Sequence, residues 1–286
     1  MKKYISYIYI LMAAACWGML GLFTRILSMG GFSATDIVVV RNFGGLLMLV
    51  SIFAMSKRSV FSVRLKHLPI FFGTGVISVL FFAFCYFSCQ ERCSLAVAAI
   101  LLYTAPAMVV VMSAILWRER ITKRKLGALG LVVLGCSFVT GVWSGGLTIT
   151  LSGALFGIGA AFFYALYSIF GRYGLEHYDS FTVTLWTFVF AGVGSLIWLD
   201  VPTLANGFQT PSMIAAAVGL VMIATVLPYI LYTKGLSKVE SGNASIIASL
   251  EPVVAALVGV IAFGEPMNIM ILLGLACILL SVYILR

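Results

Sequence analysis

The chain has 286 residues, 62% of them hydrophobic and 9% charged, against roughly 45–50% and 25% in ordinary soluble domains. That composition excludes a soluble enzyme or binding module. A formal net charge of +9 would suggest nucleic acid in a soluble protein, but apolar runs of about 20 residues, enough to span a bilayer, recur along nearly the whole chain and leave no soluble domain over.

In chain order the predicted spans are residues 4–24, 36–55, 68–88, 95–117, 126–143, 151–171, 181–199, 212–233, 241–263 and 267–285. The opening MKKYISYIYILMAAACWG has the basic start, apolar run and small residues of a signal peptide. Its apolar stretch continues through Trp17 to Phe23 without a polar cleavage region, so it is read as the first span. Ten spans put both termini on one side of the membrane. Of the 18 Lys and Arg residues, 15 fall on that side, in the segments 2–3, 57–66, 118–125, 172, 234–238 and 286, and only Arg25, Arg41 and Arg92 on the other. Cytoplasmic loops collect Lys and Arg, so both termini are predicted to be cytoplasmic, and the positive charge is orientation rather than a nucleic-acid surface.

Arg41, five residues into the second span, is either an outer-leaflet anchor that snorkels or a group lining an external vestibule. Asp36, five residues earlier, is badly placed to pair with it on one helix. Cys85, Cys89 and Cys93 share a helical stripe. With no CxxC and both histidines in loops, a packing role for them is favoured over a metal site, and no disulfide framework is indicated. Within the spans, Trp17, Tyr86, Tyr103, Tyr164, Tyr167, Tyr229 and Tyr232 carry polar groups that need partners; each is either packing or the lining of a cavity for a ring-bearing or apolar solute. Close helix contact is expected at the small-residue pairs Gly153 and Gly157, Ala244 and Ala248, and Ala255 and Gly259.

Shifting the chain against itself by 146 lays ILLYTAPAMVVVMSAILWRE (100–119) over IIASLEPVVAALVGVIAFGE (246–265), matching Pro106 with Pro252 and Glu119 with Glu265. The same ungapped shift pairs Gly73 with Gly219 and Tyr86 with Tyr232. The expected fold is therefore an all-α membrane protein of ten transmembrane helices in two five-helix repeats, 1–143 and 147–286. Five is odd, so the second repeat enters the membrane inverted, as in many secondary transporters, whose substrate sites lie near the midplane where the halves meet.

Glu251 falls at the middle of the ninth span. A charged group facing lipid there is costly, about 2.5–3.5 kcal/mol for Asp on insertion scales, so it should face protein or water. It has three readings: a proton-coupling group, a contact for a cationic part of the substrate, or a hydrogen-bonded strut between helices. Pro252 and Pro106 each deprive a carbonyl, of Ala248 and Leu102, of its intrahelical bond. Ser245, Ser249 and Thr104 are near enough to help, and the matched prolines mark either helix breaks at a binding site or plain kinks. Motifs for ATP binding, zinc hydrolysis or a nucleophilic serine are missing from the sequence. No enzyme activity, cofactor or metal is expected.

The run SGNASIIASLEPVVAALVGVIAFGEP, its counterpart AVAAILLYTAPAMVVVMSAILWRER and Arg41 near the start of the second helix resemble the EamA family of the drug/metabolite transporter superfamily, across essentially the full chain. The resemblance implies a ten-helix carrier of a bacterial inner membrane, often an exporter of amino acids or other metabolites. It further implies a central cavity framed by helices 1, 3, 4, 6, 8 and 9, with helices 5 and 10 packed together at one end. Trp17, Tyr86, Tyr103, Tyr164, Tyr232 and Glu251 lie on the framing helices, and Ala105 in place of a second acid leaves the central carboxylate single. The expected partners are a small-molecule substrate, membrane lipid and protons as a candidate coupling ion, with no nucleic acid, in a monomer or homodimer. The alternatives are an uptake carrier or facilitator of the same fold and, in a different class, a ligand-binding membrane sensor.

Overall fold

The computed structural model describes residues 2–144 and 148–285. The start of the second repeat at 147, Arg286 and the side chains of Lys2 and Lys3 lie outside the described residues. Among the described residues every regular element is helical, and eight helices are long and apolar enough to cross a membrane. These are α1 (Tyr4–Met29), α2 (Ala34–Ser56), α3 (Leu65–Gln90) and α4 (Leu95–Trp117), then, after the shorter α5 (Lys123–Val139), α6 (Leu151–Leu175), α7 (Ser180–Trp198), α8 (Pro211–Leu236) and α9 (Ser241–Phe263). The short α10 (Ile269–Ile284) follows them.

Polar residues between the apolar runs set where the helices begin. Ser33 and Asp36 form a capping box at α2, and Thr122, Thr150, Asp179 and Asn268 each accept a bond from a backbone N–H of the first turn of α5, α6, α7 and α10. Such caps satisfy donors that the helix itself cannot.

Five long helices are irregular at midlength, α1 being interrupted after Gly18. α4 turns at Tyr103 and Thr104 before resuming as Ala105–Trp117, and α9 turns at Ser249 and Leu250 before resuming as Glu251–Phe263. Pro106 and Pro252 stand in the first turn of the resumed segments, where a missing N–H costs nothing. They restart helices instead of kinking continuous ones. Thr104 Oγ1 donates to Leu101 O at 2.7 Å and Ser249 Oγ to Ser245 O at 3.3 Å, so the hydroxyls cover carbonyls other than those of Leu102 and Ala248. α3 and α8 carry wide π turns over Gly73–Leu80 and Met222–Val226, where Ser78 and Thr225 donate to carbonyls five residues back. π turns are rare and frequent at functional sites.

Small residues let the helices meet closely. A Cβ on Gly153 would come within 2.3 Å of Cys93 Sγ, and one on Gly157 within 3.1 Å of Cys89 Sγ, so the cysteine stripe of α3 packs on the glycines of α6. Gly135 and Gly274 face each other's carbonyls between α5 and α10. The Ala255–Gly259 expectation fails: Ala255 is exposed, and Gly259 makes room for the carboxylate of Glu265 instead of a neighbouring helix.

Candidate functional site

The helix breaks converge on the centre of the molecule. There Trp17 from α1 meets Tyr229 and Tyr232 from α8, with ring centroids 5.5 and 5.3 Å apart, and Tyr167 from α6 packs at 5.0 Å from Tyr229. Two of these phenols are pinned, Tyr167 against Thr233 Oγ1 at 2.9 Å and Tyr232 against Ser168 Oγ at 2.7 Å. Trp17, Phe82, Tyr164, Tyr229, Tyr232 and Ser245 line a narrow cavity of about 20 Å³. A second, of about 10 Å³, is lined by Tyr103, Pro106, Tyr164, Ser245, Ser249 and Glu251. Tyr164, Ser245 and Ala248 wall both, so they are two lobes of one chamber, framed by α1, α3, α4, α6, α8 and α9. Each lobe holds about one water, which means the chamber is closed around its own side chains.

The chamber is closely defined at α1. Gly18 presses on α9 so tightly that a Cβ would lie 2.7 Å from the carbonyl of Glu251. That contact joins the break in α1, after Gly18, to the break in α9. Glu251, half-buried at the start of the resumed helix, makes no hydrogen bond or ion pair with the described residues. Arg41 is half-buried on α2 and donates from Nη2 to Tyr229 Oη at 3.3 Å, while its Nε has no partner. It thus points toward the chamber's aromatic wall. Tyr86 stacks on Phe82 at 5.6 Å and lines neither lobe. Pro252 lines an outer groove of about 410 Å³ that runs from Tyr103 to Glu265, so Tyr103 stands between groove and chamber.

Each end of the chamber carries a cluster that sequence matching only hinted at. At one end Glu119 is buried just past α4, and Oε1 accepts from Arg172 Nη1 at 2.8 Å and from the Ser241 N–H at 3.0 Å. Lys125 Nζ lies 3.5 Å from Oε2 and 2.7 Å from Glu240. The Arg172 guanidinium lies over Trp117. At the other end Glu265 pairs with Arg25 at 2.7 Å, and Arg25 lies over Phe263. Trp117 and Glu119 match Phe263 and Glu265 at the 146-residue shift, and each glutamate follows a left-handed residue, Arg118 with φ 54° and Gly264 with φ 65°. The difference is burial: the Glu119 side chain is 5% exposed and the Glu265 side chain 52%.

A helical membrane protein with a closed chamber at its broken helices and an ion-pair cluster at each end has the anatomy of a solute carrier. The model of the EamA-like transporter family matches residues 4–141 and 151–286, and the chain belongs to that family. It is 27% identical to the uncharacterized inner membrane transporter YicL of Salmonella typhimurium over 96% of this chain and 92% of that one. It is 26% identical to the threonine/homoserine exporter RhtA of Escherichia coli over 86% and 79% of the two chains. A solved crystal structure superposes with a TM-score of 0.81 over 98% of this chain and 95% of its own, at 18% identity, a likeness of fold.

Sequence reasoning missed Ser78, Phe82, Ser168 and Thr233, because nothing in a span's composition says how the helix is rotated. It also passed over the Glu119 cluster, whose signal was present in the Glu119–Glu265 match.

Proposed function

We propose that this protein is a secondary active transporter of a bacterial plasma membrane that exports small metabolites, such as amino acids or amphipathic drugs, by alternating access. In this reading α5 and α10 complete ten spans, residues 1–143 and 147–286 are inverted repeats, and both termini are cytoplasmic. The observation that carries it is the pair of matched clusters. Two equivalent seals, one buried at Glu119 and one exposed at Glu265, are what a molecule needs to close one end while releasing the other. The bias of lysines and arginines supports a cytoplasmic position for the Glu119 seal. Glu251 is the coupling group, taking a proton when solute leaves. RhtA, a relative that exports threonine and homoserine by name, supports the direction and the substrate class.

The test is metabolite profiling of the medium from cells expressing wild type, Glu251→Gln or an empty vector at matched membrane levels. Export through the chamber predicts a compound enriched outside only with the wild type. Identical media from all three cultures would contradict it.

A further inference from the structure

The space around the chamber differs between its two ends. The lobes hold about 20 and 10 Å³, whereas the groove beside them holds about 410 Å³, within the range of small-molecule sites. Tyr103 lines both the groove and the lobe of Glu251, and Pro252, the next residue after Glu251, lines the groove. Two other cavities of about 450 Å³, one walled by Arg172 and Glu240 and one by His67 and His177, share no lining residue with either lobe. The repeats show how the contrast arises. One wall of the groove is Ala99 and Tyr103 of α4, and the other is Pro252, Ala255 and Ala256 of α9. At the 146-residue shift Ala99 and Tyr103 match Ser245 and Ser249, and Pro252, Ala255 and Ala256 match Pro106, Val109 and Val110. All five of these counterparts are buried. A Cβ on Gly242 would come within 2.9 Å of Val110 Cγ2, and Val110 and Ile246 belong to one apolar core. The same helix pair is thus packed shut toward Glu119 and parted toward Glu265.

From this asymmetry we infer that the groove is a second solute site, occupied by solute that has left the chamber toward the Glu265 end, and that Tyr103 is the barrier between the two. The inference rests on the transporter reading and adds a release site and a gating residue to it. The chamber, with room for about one water per lobe, cannot hold solute in this conformation, and the groove is the adjoining space that can. Tyr103 stands where α4 turns between Leu102 and Ala105. Its ring is therefore carried by a break in the helix, where the backbone can turn without unwinding a continuous hydrogen-bond ladder. The walls also fix the kind of solute. Ala99, Val139, Pro252, Ala255, Ala256 and Val260 make an apolar trough, with Thr140 and Glu265 as its polar groups. Such a trough favours an amphipathic solute with an apolar body over one that is polar throughout, because a polar group placed there without a partner is penalised. The exposure of Ala255 follows from the same arrangement, since its small side chain borders this space instead of a helix.

Two sets of variants test it. The first uses the full-length, reconstituted protein and a small cationic thiol reagent, 2-aminoethyl methanethiosulfonate, with peptide mass mapping to read each site apart from the six native cysteines. Ala256→Cys is expected to react from water. Ser245→Cys, in the chamber wall, is expected to react roughly tenfold faster when Tyr103→Ala accompanies it, as removal of a barrier requires. An unreactive Ala256→Cys would give the groove to lipid chains and overturn the inference. Equal rates at Ser245→Cys with and without Tyr103→Ala would overturn it too. The second set compares the media of cells expressing wild type, Ala256→Trp, which fills the groove, and Ile261→Trp, a control whose parent residue is 83% exposed on the same helix. The compound enriched by the wild type should be lost with Ala256→Trp and kept with Ile261→Trp at matched membrane levels. Enrichment that survives Ala256→Trp would overturn the release site and leave the transporter standing. Wild-type medium identical to that of an empty vector would count against the transporter instead, and the thiol rates decide the passage even where Ala256→Trp fails to fold.

Discussion

In the proposed cycle Glu251 exchanges a proton against solute, and this competition gives a pH dependence with a definite sign. Protonation accompanies solute release in this reading, so solute affinity should fall as pH falls through the titration of Glu251. Of the other titratable groups, Tyr103 and Tyr164 share the lobe that Glu251 lines. A phenol does not ordinarily change charge below about pH 9, so Glu251→Gln should flatten the acid side of the affinity profile. A slope that survives the substitution assigns the proton to another group. Glu251 was legible in the sequence because an acid amid an apolar span is conspicuous. That Tyr164 lines the chamber while Tyr86 packs on Phe82 outside both lobes was not, since both are tyrosines on framing helices and only packing distinguishes them.

At the scale of the helices, local rules are testable at their ends. Arg118 adopts the left-handed conformation that Gly264 adopts at the matched cap, and an L-residue there costs about 1–2 kcal/mol. Arg118→Gly should therefore stabilise modestly, part of the gain being offset by the freer unfolded chain. A Cβ on Gly264 meets nothing within 4 Å, so Gly264→Ala should destabilise by about 1 kcal/mol through the backbone alone. Thermal unfolding in one detergent compares the pair, and equal effects of one sign would contradict the cap account. At the start of α7, Asp179 caps Thr182 and pairs with Lys57. Burial opposes its charge, but the bonds from Lys57 and Thr182 prevail and hold its carboxyl below the ordinary 3.8. A depressed carboxylate stabilises the fold above its unfolded value and loses that contribution as pH falls through the folded one. Asp179→Ala should accordingly cost about 1 kcal/mol at neutral pH and progressively less below pH 3.8. Helix positions were readable from hydrophobic runs, and the matched Pro106 and Pro252 pointed to either breaks or kinks. The π turns of α3 and α8 were not, because they depend on how tightly neighbouring helices press.

For the molecule as a whole, the two ends differ in burial and should differ in energy. Removing one member of a buried charge cluster costs about 3–5 kcal/mol, while an exposed pair contributes roughly 0–1 kcal/mol. Glu119→Gln keeps the shape and removes the charge, so it should loosen the end formed by α4, α6 and α9. Glu265→Gln should leave this closed state nearly unchanged. Distances between spin labels on the loops at each end report this directly, and a wider opening at Glu265 than at Glu119 would refute the assignment of the seals. This asymmetry was invisible to the repeat, which lays Glu119 on Glu265 as equals; burial belongs to one conformation of the folded chain.

The central claim is that one chamber, holding Glu251, serves both faces of the membrane. Counterflow in proteoliposomes tests it most directly, with vesicles loaded with an unlabelled amino acid mixture and labelled trace outside. The account predicts transient accumulation of label in wild-type vesicles and its loss in Glu251→Gln. Label that never exceeds protein-free vesicles, or that accumulates equally in the variant, would contradict it.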